Sequence, residues 1–110
     1  MKTRVITCNE IEGLHYWYNA PLQQGYLKYP HRHIFEIRCQ FEVAHSDRDI
    51  EIIKKQNEIY EYIENRFRRP ADFAKMSCEM IAEMIIRQFG CVSCEVLEDG
   101  KGGAIVFKEE

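Results

Sequence analysis

His31-Arg32-His33 heads the run Ile34-Phe35-Glu36-Ile37-Arg38-Cys39-Gln40-Phe41-Glu42-Val43, in which apolar and polar side chains alternate for more than ten residues. That is strand periodicity, and a strand sends residues i and i+2 to the same face. His31 and His33 therefore share a face with Phe35, Ile37, Cys39, Phe41 and Val43, while Arg32, Glu36, Arg38, Gln40 and Glu42 take the other. Two imidazoles at the open end of an apolar face can converge on one metal ion. His15 precedes His31 by sixteen residues, a length over which a hairpin brings it beside the pair. Three imidazoles make a tri-histidine zinc site whose fourth position is left for water or substrate. Such an open site polarises a bound oxygen or lowers the pKa of a bound water. The pair taken alone reads first as surface or core histidines in ordinary hydrogen bonds; the third, at hairpin distance, sets a metal site beside that reading. His45 lies at the far end of the run, about 40 Å from His33 at roughly 3.3 Å per residue, and reads as a turn or cap residue.

The elements that must position these groups follow from the same kind of pattern. Residues from about Arg4 to Tyr16 read as a first strand, with Gly13 as a bulge or a point of close approach. Tyr16 to Pro30 is a loop, punctuated by Asn19-Ala20-Pro21 and Gln23-Gln24-Gly25 and rich in Tyr16, Trp17, Tyr18, Tyr26 and Tyr29. Those aromatics suit either the walls of a site for a flat ring or a surface that packs on a neighbouring subunit. Ile50-Glu51-Ile52 reads as a short edge strand. From Ile53 the spacing becomes helical, with Ile53, Gln56, Ile59, Tyr60, Ile63 and Phe67 on one stripe; a start at Ser46, with Ser46 as N-cap, is the alternative. Arg68-Arg69-Pro70 ends that helix and a short connector follows. Ser77 caps a second helix with Glu79 in its first turn and Gly90 past its end; Cys78, Ile81, Ala82, Ile85 and Phe89 form its buried stripe. A strand from Val92 to Glu98 places Val92, Cys94, Val96 and Glu98 on one face. Asp99-Gly100 is a hairpin signal, and Gly103 to Lys108 is the last strand. The expected fold is α+β: an antiparallel four-stranded sheet with two helices on one face.

Composition narrows the function classes. The 110 residues suit one domain, and 45% hydrophobic with 12% aromatic content supports a real core. A net charge of −3 lacks the basic field that general nucleic-acid binding needs. No apolar run has the length of a membrane span and the N-terminus shows no signal-peptide core, so a cytoplasmic protein with no membrane role is expected. Five cysteines on predicted strands and a helix start read as small buried hydrophobes. Cys91-Val92-Ser93-Cys94 is formally a C-x-x-C, but in a strand its thiols point to opposite faces, and no second copy completes a zinc knuckle.

Taken in order, Glu12-Gly13-Leu14-His15, His31-Arg32-His33, Ile50-Glu51-Ile52, Ser77-Cys78-Glu79-Met80-Ile81-Ala82 and Glu98 before a Gly-rich turn resemble the 6-pyruvoyltetrahydropterin and 6-carboxytetrahydropterin synthase family. The resemblance implies a T-fold whose subunits assemble into a barrel, typically a hexamer of two stacked trimers. It implies zinc on His15, His31 and His33, and Glu98 as the anchor of a pterin- or purine-like ring, in a site between subunits. A carboxylate suits that work because it accepts two parallel hydrogen bonds from a ring N–H and a neighbouring amine.

The departures fall on proton transfer. The family's catalytic cysteine, four residues before the first histidine of its H-G-H, corresponds to Leu27. Its Asp-His pair has no counterpart in Arg68-Arg69-Pro70-Ala71-Asp72-Phe73-Ala74-Lys75. Tyr26 and Lys28, flanking Leu27, are the first candidates for a replacement acid or base. Three functions stand: a zinc-dependent, lyase-type enzyme on a pterin-, purine- or deazapurine-like molecule without the parent synthase activity; a non-catalytic binder that sequesters or senses such a ligand; and a metal that staples an oligomer.

Overall fold

The computed structural model describes residues 1–109. Its elements run β1 (Arg4–His15), a 3₁₀ segment (Leu22–Lys28), β2 (His31–Glu42), α1 (Ile52–Phe67), β3 (Ala71–Asp72), α2 (Cys78–Phe89), β4 (Ser93–Glu98) and β5 (Gly102–Phe107). The fold is α+β, as the periodicities predict. The sheet differs from expectation in two ways: it has five strands, in the order β3-β1-β2-β4-β5, and it is mixed, because β3 runs parallel to β1.

The alternating runs explain the long strands. β1 and β2 pair antiparallel in one unbroken register from Arg4↔Glu42 to His15↔His31. A slip of one residue would turn every side chain to the opposite face. The face bearing Ile11, Phe35, Ile37, Cys39, Phe41, Cys94 and Val96 is buried. Both helices close over it, α1 through Ile59 and Ile63, α2 through Cys78, Ile81, Ala82 and Ile85. On the opposite face Arg32 and Arg38 are exposed and Arg32 pairs with Glu12 at 2.6 Å.

Helix ends obey local chemistry. Ser77 caps α2, its hydroxyl accepting from the Met80 N–H at 3.2 Å; Gly90 closes the helix in the left-handed conformation at φ 71°. α1 starts neither at Ser46 nor after a strand. The Glu51 carboxylate accepts from the Lys54 N–H at 2.6 Å, so Ile50-Glu51-Ile52 is the entrance to a helix rather than a short strand. Three residues of alternation could not outweigh a side chain that satisfies an orphan helix N–H. The extra strand lies instead in the connector after Pro70, where Ala71 and Asp72 pair with Gly13 and Leu14; two residues are too few for period-2 patterning to show. The aromatic loop likewise folds a 3₁₀ segment at Leu22–Lys28.

Four of the five cysteines are buried, as expected of small hydrophobes, but Cys8 is exposed. Cys91 precedes β4 rather than opening it, and both C-x-x-C thiols turn into the core. Among the described residues no helix is long and apolar enough to cross a membrane.

Gly13 is not a bulge, since the β1–β2 register runs through it. It is a point of close approach: a Cβ there would meet Phe73 Cε2 at 2.9 Å, the Ala71 carbonyl oxygen at 3.1 Å and Phe35 Cδ2 at 3.1 Å. Gly13→Ala is expected to destabilise the fold by about 1–3 kcal/mol in urea unfolding, the usual cost of overpacking a filled core. An unchanged unfolding midpoint would show that Phe73 and the β3 backbone yield freely.

Candidate metal centre

The β1–β2 register sets His15 directly opposite His31, and Gly13 opposite His33. With His33 two residues along from His31, all three rings rise from one face at one end of the sheet. Their centroids are 4.5 Å (His15–His31), 5.0 Å (His31–His33) and 5.4 Å (His15–His33) apart. Phe35 lies beneath them, 5.1 Å from His15 and 5.7 Å from His33, edge to face. On the other side β4 pairs Glu98 with Phe35, which brings its carboxylate to the cluster. One ligand atom from each of His15, His31, His33 and Glu98 lies within 4.8 Å of the other three. That spread is a small side-chain adjustment from the roughly 3.3 Å between nitrogen ligands of a tetrahedral ion bonded at about 2.0–2.1 Å.

Each ring is held from behind. His15 Nδ1 lies 3.0 Å from the Met76 carbonyl oxygen, His31 Nδ1 lies 3.0 Å from the Tyr29 carbonyl oxygen, and His33 Nδ1 lies 2.7 Å from Asp99 Oδ2. All three partners are acceptors, so each Nδ1 carries the hydrogen and, in a neutral ring, Nε2 is the nitrogen left to bind a metal. Metal-ligating histidines use this same outer arrangement, which fixes tautomer and ring orientation.

The decisive atom is His15 Nε2. Glu98 Oε2 lies 2.8 Å away, but with the ring hydrogen on Nδ1 both atoms are acceptors, and this buried nitrogen has no hydrogen-bond partner among the described residues. A buried acceptor left beside a second acceptor is costly unless a cation or proton stands between them. The donor set of three imidazoles and a carboxylate fits a divalent metal ion. Burial holds the His15 imidazole below its ordinary value, more strongly than the Met76 carbonyl and the Glu98 charge raise it, so the ring is kept neutral, as a ligand must be.

A cavity of about 530 Å³ opens beside the cluster, walled by Tyr16, Trp17, Leu27, the first turn of α2 and Glu98. Two of the loop aromatics thus line the site; Tyr18, Tyr26 and Tyr29 are exposed. Leu27 faces the cavity, whereas Tyr26 and Lys28 do not line it and are exposed. Lys75 and Glu79 line it, and neither stands out in the sequence as a site residue. Burial, reinforced by the charges of Glu98 and Glu79, pushes the Cys78 thiol up to about 12, so it holds its proton and is a poor nucleophile.

Asp99 is the residue that sequence reasoning leaves in a turn. It sits 66 positions from His33, and only its place directly after Glu98 in an Asp-Gly hairpin hints at more. His45 is exposed, beside Asp49 at 3.5 Å, away from the site as expected.

No protein-family model matches the chain, and no curated protein matches it.

In the metal-free protein the depressed His15 pKa means the folded state binds fewer protons than the unfolded one. The resulting stability is fully present above about pH 6.5, the ordinary value for the ring, and is lost as pH falls through the folded value. Urea midpoints should therefore fall below about pH 6.5 in wild type and fall less in His15→Gln. Equal slopes in the two proteins would remove burial of His15 as the cause.

Proposed function

We propose that the chain is a divergent relative of the 6-pyruvoyltetrahydropterin and 6-carboxytetrahydropterin synthases, a zinc protein whose cavity takes a pterin- or purine-like small molecule. The observation that carries this reading is the unpartnered, buried Nε2 of His15, set among two further imidazoles and a carboxylate at the wall of a cavity. His15, His31 and His33 would hold the ion; zinc in such a set supplies Lewis acidity toward a ligand oxygen. The order of elements, strand–strand–helix–helix–strand–strand around a two-residue β3, supports the resemblance. The T-fold assembly belongs to the same proposal: a barrel, hexameric by resemblance, in which a neighbouring copy completes the pocket.

The chain's own groups favour binding over the parent chemistry. Glu98 can receive the N–H edge of a flat ring through both oxygens, and Tyr16 and Trp17 offer aromatic walls to its faces. The proton-moving groups of the synthases have no counterpart, with Leu27 at the position of their cysteine and no Asp-His pair in residues 68–75; Cys78, on the cavity wall, keeps its proton. Any lyase-type turnover would draw its acid or base from Lys75 or Glu79, which line the cavity, rather than from Tyr26 or Lys28.

A second reading rests on the 2.8 Å from Glu98 Oε2 to His15 Nε2. A carboxylate so placed suits a fourth ligand, and a four-ligand zinc site is closed and structural. In that case the metal stabilises the subunit or its oligomer and takes no substrate.

Elemental analysis of the purified protein should find about one zinc per chain, and His31→Ala should lower the affinity by at least about 100-fold, beyond the loss of an outer-shell partner. Glu98→Gln separates the two readings. Zinc retained, with thermal shifts by pterins or guanine derivatives abolished, identifies Glu98 as the ring anchor; zinc lost identifies the closed site. Dihydroneopterin triphosphate should not be turned over. A wild-type protein that binds neither zinc nor any heterocycle would end the proposal.

A further inference from the structure

The three Nδ1 acceptors are not equal. Met76 and Tyr29 offer neutral backbone carbonyls, but His33 faces a carboxylate at 2.7 Å. That carboxylate is itself fixed: Asp99 Oδ1 accepts from the Ile34 N–H at 2.9 Å, and the Asp99 N–H donates to the Ile34 carbonyl at 2.8 Å. Asp99 is thus clasped to the residue next to His33 by side chain and backbone together, across the end of β4. Its φ of 56° turns the chain immediately after Glu98, so one tight turn sets both carboxylates at the cluster. A side chain serving only the hairpin would satisfy local amides; this one spans to β2 and reaches the back of an imidazole.

We propose that Asp99 is a positioning residue of the metal centre, orienting His33 through Nδ1 and raising the donor strength of its other nitrogen. The inference rests on the metal reading above, and adds a ranking within it. A carboxylate behind an imidazole makes that ring a stronger donor than one backed by a carbonyl.

The test uses the full chain and measures zinc affinity by competition with a chromophoric chelator, together with the visible spectrum of the cobalt(II)-loaded protein. Asp99→Gly and Asp99→Asn both tolerate the positive φ, so the hairpin survives in each. Asp99→Gly is expected to weaken zinc by 10- to 100-fold and to alter the cobalt bands. Asp99→Asn, whose single oxygen can serve the His33 Nδ1–H or the Ile34 N–H but not both, should weaken zinc by no more than Asp99→Gly. In a His33→Ala background, Asp99→Gly should change affinity less than threefold, because the ring through which it acts is gone. The same loss in both backgrounds, or wild-type affinity and spectrum in Asp99→Gly, would overturn the assignment while leaving a zinc-binding wild type intact. A wild type that binds no zinc overturns the metal reading and this inference with it. Unfolding of each metal-free variant in urea reports any loss of fold separately.

Discussion

Three imidazoles turn their lone pairs toward one another because each has its other nitrogen tied to an acceptor outside the cluster. Without those ties the rings could rotate about χ2, exchange tautomers and hydrogen-bond among themselves, and the space between them would hold nothing in particular. The three acceptors come from three separate pieces of chain: the turn before α2 (Met76), the end of the aromatic loop (Tyr29) and the β4–β5 hairpin (Asp99). Much of the irregular backbone has the job of delivering them. The β3 segment is the plainest case. Phe73 N–H donates to the Leu14 carbonyl and Tyr16 N–H to the Ala74 carbonyl, both at 2.9 Å, which straps the connector along the end of β1. The Asp72 carboxylate then accepts from the Ala74 N–H at 3.0 Å and turns the chain so that Met76 arrives behind His15.

Packing supplies the rigidity that hydrogen bonds alone would not. Phe35 is fully buried beneath His15 and His33 and stacks edge to face on Phe73 at 5.0 Å. Phe73 in turn lies over Gly13, whose missing side chain lets the ring and the β3 backbone come close. Core and site are therefore continuous through one aromatic column, and the register that buries Phe35, Ile37 and Cys39 is the same register that lifts His31 and His33. A strand slip that spoiled the site would also expose the core, so folding energy enforces the chemistry.

This coupling explains what could be read from the chain. The histidine cluster is legible because period-2 patterning places His31 and His33 on the apolar face, and hairpin length delivers His15. Ser77, Gly90 and Asp99-Gly100 were legible because caps and tight turns have local residue requirements. The short strand was misplaced for the opposite reason. Ile50-Glu51-Ile52 alternates, but Glu51 serves α1 as a cap, while Ala71-Asp72 has no pattern and pairs only because Gly13 admits it. Tyr26 and Lys28 are candidates only by adjacency to Leu27, and the 3₁₀ segment turns Leu27 toward the cavity and its neighbours outward. Asp99 could not be found from spacing, since its tie to His33 is a tertiary contact across two strands.

Glu98 is where two demands meet. To grip a flat ring by two parallel hydrogen bonds a carboxylate must turn both oxygens to the cavity; to close a metal site it must turn one inward. Its backbone permits either, because β4 ends there and the next residue already belongs to the hairpin. Its side chain is one-third exposed, against one-tenth for His15, so it stands at the boundary between the dry cluster and the wet cavity. A ligand that draws Glu98 toward the cavity must compete with whatever that carboxylate does for the cluster. By linkage, metal and ligand then weaken each other by the same factor if Glu98 is a ligand of the ion, and leave each other unaffected through this residue if it is not. The imidazoles are common to both cases, each held from behind through Nδ1. Whether the centre is open or closed turns on which way the Glu98 carboxylate faces.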